Sequence, residues 1–184
     1  KPAGACPTCT GLGVVHQALA ERVLDGERSL AQGAVRVWEP VFADYQRAIL
    51  QAAATYYGLL FDATLPANQL GPVQRDLLLY GVESPQFRRH YPQREPPPTV
   101  RQGRFEGVLT MVLRRYAEHA QDADYIKKMG DYVRQDICPD CQGSRLRPSS
   151  RQVTVLGETI VALARLPLTQ VRAWIDTLPA ALAG

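Results

Sequence analysis

The 184-residue sequence has few of the features that mark membrane proteins or nucleotide hydrolases. Its apolar runs fall well short of the roughly 20 residues that span a bilayer. It has no G-x-x-x-x-G-K-[ST] loop to cradle phosphates, since none of its three lysines follows a glycine. These absences predict a cytoplasmic location, no membrane partner and no nucleotide-hydrolysis centre within this chain.

Catalytic motifs are missing as well. There is no serine nucleophile elbow, no pair of catalytic carboxylates and no signature of a metal-activated water. The three histidines, His16, His90 and His119, have neither the helical nor the knuckle spacing of a metal site. We therefore expect no catalytic residue in this chain, which would not be an enzyme by itself.

Cysteine is scarce, and its placement is the most informative feature of the sequence. The four cysteines form two C-P-x-C motifs, each followed after one residue by a glycine. Two such turns provide the four thiolates of a tetrahedral zinc site, and the glycines can adopt a positive φ that aims N–H groups at sulfur. We predict one structural Zn²⁺ ion. Its ligands would be Cys6, Cys9, Cys138 and Cys141.

Two other uses of the cysteines stay open at this point. One C-x-x-C motif would suit a thiol redox protein, and four cysteines could form two disulfides. The matched prolines and glycines favour zinc, and a reducing cytosol disfavours disulfides. Because 128 residues separate Cys9 from Cys138, the ion is expected to tie together the two ends of an inserted domain.

Lysine is rare, and most of the positive charge is carried by arginine. Seven arginines and two glutamates between Phe87 and Arg115 give this segment a net charge of +5, while the rest of the chain sums to −2. The flat guanidinium fork suits phosphate oxygens. A coding bias towards arginine would produce a solvated basic face without any ligand, and that alternative stays open.

Helices are predicted where apolar residues recur at three- and four-residue spacing and where proline or glycine marks an end. They cover residues 40–58, 72–81, 107–119 and 122–135, with a closing helix that Thr169 caps. Short strands are predicted over 13–18 and 35–38, and a β-hairpin over 153–160.

Two arginine-bearing stretches, 86–91 and 99–105, are predicted to be the arms of another β-hairpin. The run from Pro92 to Pro98 between them can neither be helical nor pair as an interior strand, so we expect a stiff, exposed tip. The predicted fold class is α+β. A mainly helical lobe with the arginine-bearing β-hairpin would be attached to a small, β-rich tetracysteine zinc module.

Five landmarks follow one another along the chain, at residues 2–13, 29–34, 105–108, 114–116 and 138–147. Together they closely resemble the UvrA family, a component of the bacterial excinuclease. The similarity runs nearly end to end. The proline-rich tip and the apolar segment before Phe87 depart from it, which suggests a paralogue.

The resemblance implies an excised piece, from Lys1 to Gly184, of a longer ABC-class ATPase that acts in nucleotide excision repair. The parent would be a homodimer that binds ATP and Mg²⁺ outside this chain and can bind UvrB, another component of the excinuclease. Residues 1–34 would hold the first zinc knuckle and part of a stalk, and 35–136 a basic, DNA-facing insertion domain. Residues 137–184 would hold the second knuckle and part of the signature domain.

The resemblance also implies binding to the backbone phosphates of double-stranded DNA, with damaged DNA preferred. The expected DNA contacts are Arg88, Arg89, His90, Arg101, Arg104, Arg114, Arg115, Lys127 and Lys128. Two alternatives stay open. The lobe could be a protein-interaction module that docks a repair partner or a second copy of the parent through the proline-rich tip, or the equivalent domain of a drug-resistance UvrA paralogue.

Overall fold

The chain falls into two units. The computed structural model describes residues 3–182, so the chain ends at Lys1 and Gly184 lie outside the described residues. One unit is the inserted segment His16–Arg134, and the other combines Lys1–Val15 with Gln135–Gly184. The functional division at residues 34 and 136, which follows from the family resemblance, stays a prediction.

The chain passes between the two units along two short strands. Strand β1 (Val14–Ala18) pairs with strand β2 (Val133–Ile137) in a two-stranded sheet. The backbone N–H of Cys138, the residue after β2, donates to the carbonyl of Gly13 at 3.0 Å. The predicted strand over 13–18 is confirmed, whereas β2 begins at Val133, within the stretch that was expected to be helical up to Gln135.

The inserted unit is mainly helical, as predicted. Four of its helices begin at a proline or a capping side chain, because proline suits the first helical turn, and two end at glycines with positive φ, Gly58 and Gly81. The helices are α1 (Ala20–Val23), α2 (Pro40–Tyr57), α3 (Pro72–Tyr80), α4 (Pro85–Arg88), α5 (Val108–Glu118) and α6 (Ala123–Met129). Short 3₁₀ turns cover Leu30–Gln32, Ala67–Gln69 and Val100–Gln102.

The core of this unit forms where the apolar faces of the longer helices meet. Leu50 of α2, Leu77 of α3 and Val112 of α5 are almost completely buried within it. Burying one such side chain contributes roughly 1.5–3 kcal/mol. The core therefore fixes α5 so that Arg114 is exposed, while Arg115, three residues after Val112, is partly buried.

The predicted arginine-bearing β-hairpin is wrong. The Ser84 hydroxyl accepts a hydrogen bond from the backbone N–H of Phe87 at 3.2 Å and begins α4. The Thr99 hydroxyl accepts one from Gln102 N–H at 3.3 Å and begins the turn Val100–Gln102. Both arms thus carry helical capping signals, and these outweigh the extended tendency inferred from the neighbouring prolines.

The segment between these arms is exposed at residues 92–95 and 98, as predicted, but it is anchored to the fold at other points. The Arg94 guanidinium lies over the ring of Tyr56, 4.7 Å from its centroid. The Tyr56 hydroxyl donates to the carbonyl of Glu95 at 3.1 Å, and Pro97 is almost fully buried. The proline-rich segment is therefore packed against the end of α2 through a cation–π contact and a hydrogen bond.

Three other elements differ from their predictions. The expected strand over 35–38 is reduced to one isolated bridge between Leu24 and Val35. Helix α6 ends at Met129, since the chain then turns into β2. The closing helix begins at Leu168, so Thr169 lies inside it and does not cap it.

The unit that contains both chain ends combines short strands with helices, so it is less β-rich than predicted. The hairpin predicted over 153–160 is confirmed, with Thr154 opposite Thr159 and both turn residues, Leu156 and Gly157, at positive φ. Its elements are α7 (Pro148–Arg151), β3 (Thr154–Val155), β4 (Glu158–Thr159), α8 (Ile160–Leu163) and α9 (Leu168–Leu182). Over residues 3–182, no helix is both long and apolar enough to cross a membrane.

Gly107 provides a test of how the inserted unit is held together. It has φ +87°, and an added Cβ would overlap the backbone of Tyr80 and Gly81 at the end of α3. Backbone strain and overlap together should make Gly107→Ala about 3 kcal/mol less stable to urea unfolding, followed by circular dichroism. Gly33→Ala is the matched control, because Gly33 has φ +82° but nothing within 4 Å of an added Cβ. Equal losses in both variants would contradict the close approach.

Candidate functional site

The two cysteine motifs lie side by side in the unit that contains both chain ends. The N–H of Cys6 donates to the carbonyl of Arg145 at 2.8 Å, and the N–H of Cys138 donates to that of Gly13. Each motif is thus fixed by the residues that flank the other. Gly11 and Gly143 have φ +88° and +79°, the left-handed conformation that the sequence pattern favours.

The four sulfurs form one compact, buried cluster. All four Sγ atoms lie within 4.8 Å of one another. The Sγ atoms of Cys9 and Cys141 are 3.6 Å apart and those of Cys6 and Cys138 are 4.0 Å apart, too far for disulfides. A tetrahedral zinc ion with Zn–S bonds of about 2.3 Å places its sulfurs about 3.8 Å apart. The donor set therefore fits a closed tetrathiolate site.

The surroundings of the cluster favour a thiolate at Cys9 more than at Cys138. Burial opposes ionisation of Cys9, but hydrogen bonds from the N–H groups of Gly13 (3.2 Å) and Gly11 outweigh it and lower the pKa of Cys9 to about 6. Backbone N–H groups also favour the Cys138 thiolate, yet burial and the thiols of Cys141 and Cys9 raise its pKa to about 11. Four thiolates at this spacing need a cation to balance their charge.

A side-chain hydrogen bond also joins the two motifs. Thr8 lies in the first motif and Asp140 at the corresponding position of the second, and the Thr8 hydroxyl donates to the Asp140 carboxylate. Both side chains are exposed, so neither is itself a buried ligand. The bond restrains the two turns at the outer surface of the cluster.

Five of the nine predicted DNA-contact residues are already paired with carboxylates. Asp76 of α3 accepts from Arg89 at 2.7 Å and from His90 Nε2 at 2.8 Å. Arg88 lies 4.0 Å from Glu95. The pairs around α4 neutralise much of the charge that the sequence shows there.

The remaining two paired arginines lie before and within α5. Arg104 contacts Glu83 at 2.6 Å. Arg114 contacts Glu106 at 2.6 Å and Glu118 at 2.7 Å, and these hydrogen bonds, Glu106 first, raise the pKa of its guanidinium. Arg114 thus stays charged but is saturated with carboxylate partners.

The other four predicted contacts have no ion pair among the described residues. They are Arg101, Arg115, Lys127 and Lys128. Arg101, Lys127 and Lys128 are exposed and Arg115 is partly buried.

Two of these cations line the same small groove. Arg115 of α5 and Lys128 of α6 border a cavity of about 70 Å³ together with Tyr125, Tyr132 and Glu39. The ring of His119, which follows α5, stacks on Tyr125 with centroids 4.4 Å apart. This stacking holds the end of α5 against α6, so that Arg115 and Lys128 are presented on one surface.

The structure also shows surface residues that the sequence interpretation missed. Val41 and Tyr45 follow the helical spacing of the other apolar positions of α2, but they are 77% and 57% exposed. Phe42 beside them is 53% exposed. The first turns of α2 extend beyond the core, which spacing alone cannot reveal.

Comparison with known proteins gives consistent matches along the chain. The family model described as UvrA DNA-binding domain matches residues 20–129. UvrABC system protein A of Halalkalibacterium halodurans is 32% identical over 180 residues, covering 97% of this chain and 18% of that protein. The protein of the same name from Pseudomonas aeruginosa is 36% identical over 168 residues, covering 91% of this chain and 17% of that protein.

A solved structure matches the fold as well. The crystal structure of UvrA2 from Deinococcus radiodurans has a TM-score of 0.68 at 28% sequence identity. The match covers 96% of this chain and 22% of the UvrA2 chain. The chain therefore spans about a fifth of the length of the relatives that it matches.

The hydrogen bond between the two cysteine motifs can be tested without assuming any ligand. Thr8→Val keeps the shape of the side chain but removes the donor to Asp140, and should cost about 1 kcal/mol of unfolding free energy, measured in urea. Thr8→Ser keeps the hydroxyl and should stay close to the parent. If both variants unfold at the parent's urea midpoint, the bond does not hold the motifs together.

Proposed function

The chain belongs to the UvrA DNA-binding domain family, and we propose that it is the DNA-binding lobe and zinc module of a UvrA-like protein that recognises damaged DNA in nucleotide excision repair. The longer relatives are named as components of the UvrABC system. In the proposal, the full-length parent is a dimeric ATPase component of the excinuclease that binds ATP and Mg²⁺ elsewhere and can bind UvrB. This chain contributes contacts to the DNA and no catalytic step.

The observation that carries the DNA-binding proposal is the unpaired basic surface, defined as Arg101, Arg115, Lys127 and Lys128. Each of these cations can bind a phosphate without first breaking an ion pair with a carboxylate. Phosphate contacts give affinity and register but no sequence information, which suits a protein that must act at any sequence. A preference for damaged DNA would then come from the lower cost of deforming it.

The paired side chains have a secondary place in this proposal. Arg88, Arg89, Arg104 and Arg114 each already contact a carboxylate, and the His90 ring contacts Asp76, so a phosphate would compete with these acids. Exposed ion pairs contribute only about 0.2–1 kcal/mol, so the exchange is feasible but adds little affinity.

We also propose that Cys6, Cys9, Cys138 and Cys141 bind one structural Zn²⁺. The buried, mutually close sulfurs support this assignment over a redox pair or disulfides. With four protein ligands the ion would have no open position for water, so it would stabilise the turns and would not take part in catalysis.

The alternative role as a protein-docking module has less support. It relied on the proline-rich tip and the nearby arginines. Residues 92–95 of the tip are exposed, but Pro97 is buried and the Arg94 guanidinium lies over the Tyr56 ring. Docking through Pro97 or the Arg94 guanidinium would require these contacts to break first.

DNA binding can be tested by comparing the two classes of cation. Replacing Arg115 and Lys128 together by alanine should weaken duplex binding and reduce the slope of log affinity against log salt by about 2, one for each lost phosphate contact. Fluorescence anisotropy over a salt series measures both quantities. The matched control replaces Arg88 and Arg89, two cations that are ion-paired, and should change the slope less. A larger effect in the control would indicate that the DNA binds on the α4 side instead.

The zinc proposal makes a separate prediction. The purified chain should contain one Zn²⁺, and Cys138→Ser should lose it and unfold at lower urea, since tetrathiolate binding contributes on the order of 10 kcal/mol in small zinc modules. Metal emission spectrometry and circular dichroism measure the two effects. A zinc-replete, fully stable Cys138→Ser chain would contradict ligation by four cysteines.

A further inference from the structure

The first turns of α2 present a contiguous apolar surface that the fold itself does not use. Val41, Phe42 and Tyr45 are 77%, 53% and 57% exposed, while Leu50 further along the same helix is buried. A single exposed apolar residue needs no explanation, but neighbouring ones at the end of one helix indicate a contact surface. We call Phe42 and Tyr45 the aromatic pair.

One side of the aromatic pair lies towards a small cavity beside α5. Trp38 and Gln46 line a small cavity with Arg114 and Arg115. Phe42 lies four residues before Gln46 in α2, and residues four apart in a helix share one face. Phe42 therefore stands on the edge of α2 nearest Arg115.

The other side faces the turn that carries Arg101. This turn, Val100–Gln102, packs against α2. Gly103, the residue after this turn, lies so close to α2 that an added Cβ would overlap the backbone of Ala52 and Ala53. Tyr45 lies two helical turns before Ala52, on the same side of α2. Along α2, the aromatic pair thus lies on the side of Arg115 and two turns before the place where the turn that carries Arg101 packs. Neither cation has an ion pair over residues 3–182.

The carboxylates near this surface do not reverse its charge. Asp44 is engaged by Arg47 of the same helix. Glu39 lines the groove with Arg115 and Lys128 and is the acidic group that faces them there. Exposed rings flanked by cations match a nucleic acid with unstacked bases, which offers flat π-faces between phosphates.

We propose that the aromatic pair stacks on bases that have come out of the helix in distorted DNA, while Arg101 and Arg115 bind the adjacent phosphates. This inference rests on the proposed DNA-binding function and deepens it. An intact duplex hides the faces of its bases, so the rings gain a partner only where stacking is already lost. The aromatic pair would then add a direct preference for unpaired or unstacked sites to the charge-based affinity of the unpaired basic surface.

The test compares an intact duplex with the same duplex carrying a short bubble of unpaired bases, at one fixed salt concentration. Replacing Phe42 and Tyr45 together by leucine keeps apolar surface but removes the rings. It should lower affinity for the bubble about tenfold while changing affinity for the intact duplex less than twofold, since base–aromatic stacking is the contact removed. Phe42→Tyr with Tyr45→Phe keeps both rings and should retain the preference.

Two results would overturn the inference. Equal affinities of the double-leucine and parent chains for the bubble would leave the rings without a role, even if the Arg115 and Lys128 variant still weakened DNA binding. A loss of self-association in sedimentation, without any change in DNA binding, would assign the aromatic pair to contact with a second copy. If the parent chain bound neither DNA, the proposed function itself would fail. Leu60→Ala, a change at a side chain that is 90% exposed beyond the end of α2, controls for nonspecific loss of apolar surface.

Discussion

The convergence of four buried thiols from distant parts of the chain is the constraint on which the rest of the structure depends. Bringing Cys9 to Cys138 closes a loop of 128 residues, at an entropic cost on the order of 5 kcal/mol. Neutral thiols offset little of this, and burial disfavours the Cys138 thiolate. A tetrahedral dication can contribute on the order of 10 kcal/mol, so metal binding and the pairing of β1 with β2 should be coupled.

Carboxylate pairing, more than net charge, determines where a phosphate can bind. The segment from Phe87 to Arg115 carries +5 in the sequence, but three of the acids that neutralise it, Asp76, Glu83 and Glu118, lie outside its limits. Counting charge along a segment therefore overstates the free positive charge around α4. The same pairing leaves the α5–α6 surface, with fewer arginines, richer in cations that have no ion pair among the described residues.

Sequence patterns correctly predicted the features of the fold that depend on interactions within a few residues. Pro40 and Gly58 mark the limits of α2, and the glycines after each C-P-x-C motif have the expected positive φ, because both signals act within a few residues. The hairpin prediction failed at Ser84 and Thr99, whose capping role was overlooked beside the prolines. Ion partners such as Asp76 for Arg89, and the exposure of Tyr45, depend on tertiary packing and cannot be predicted from spacing.

The exposed start of α2 is held rigidly, although the core does not cover it. Arg47 donates from Nη1 to the carbonyl of Leu30 at 3.0 Å and also pairs with Asp44, the residue before Tyr45. These contacts fix the second turn of α2 against the Leu30–Gln32 segment, so Phe42 and Tyr45 project from a backbone that need not reorganise on binding. Preorganisation lowers the entropic cost of a contact. A rigid, exposed aromatic surface is therefore better explained by an external partner than by folding.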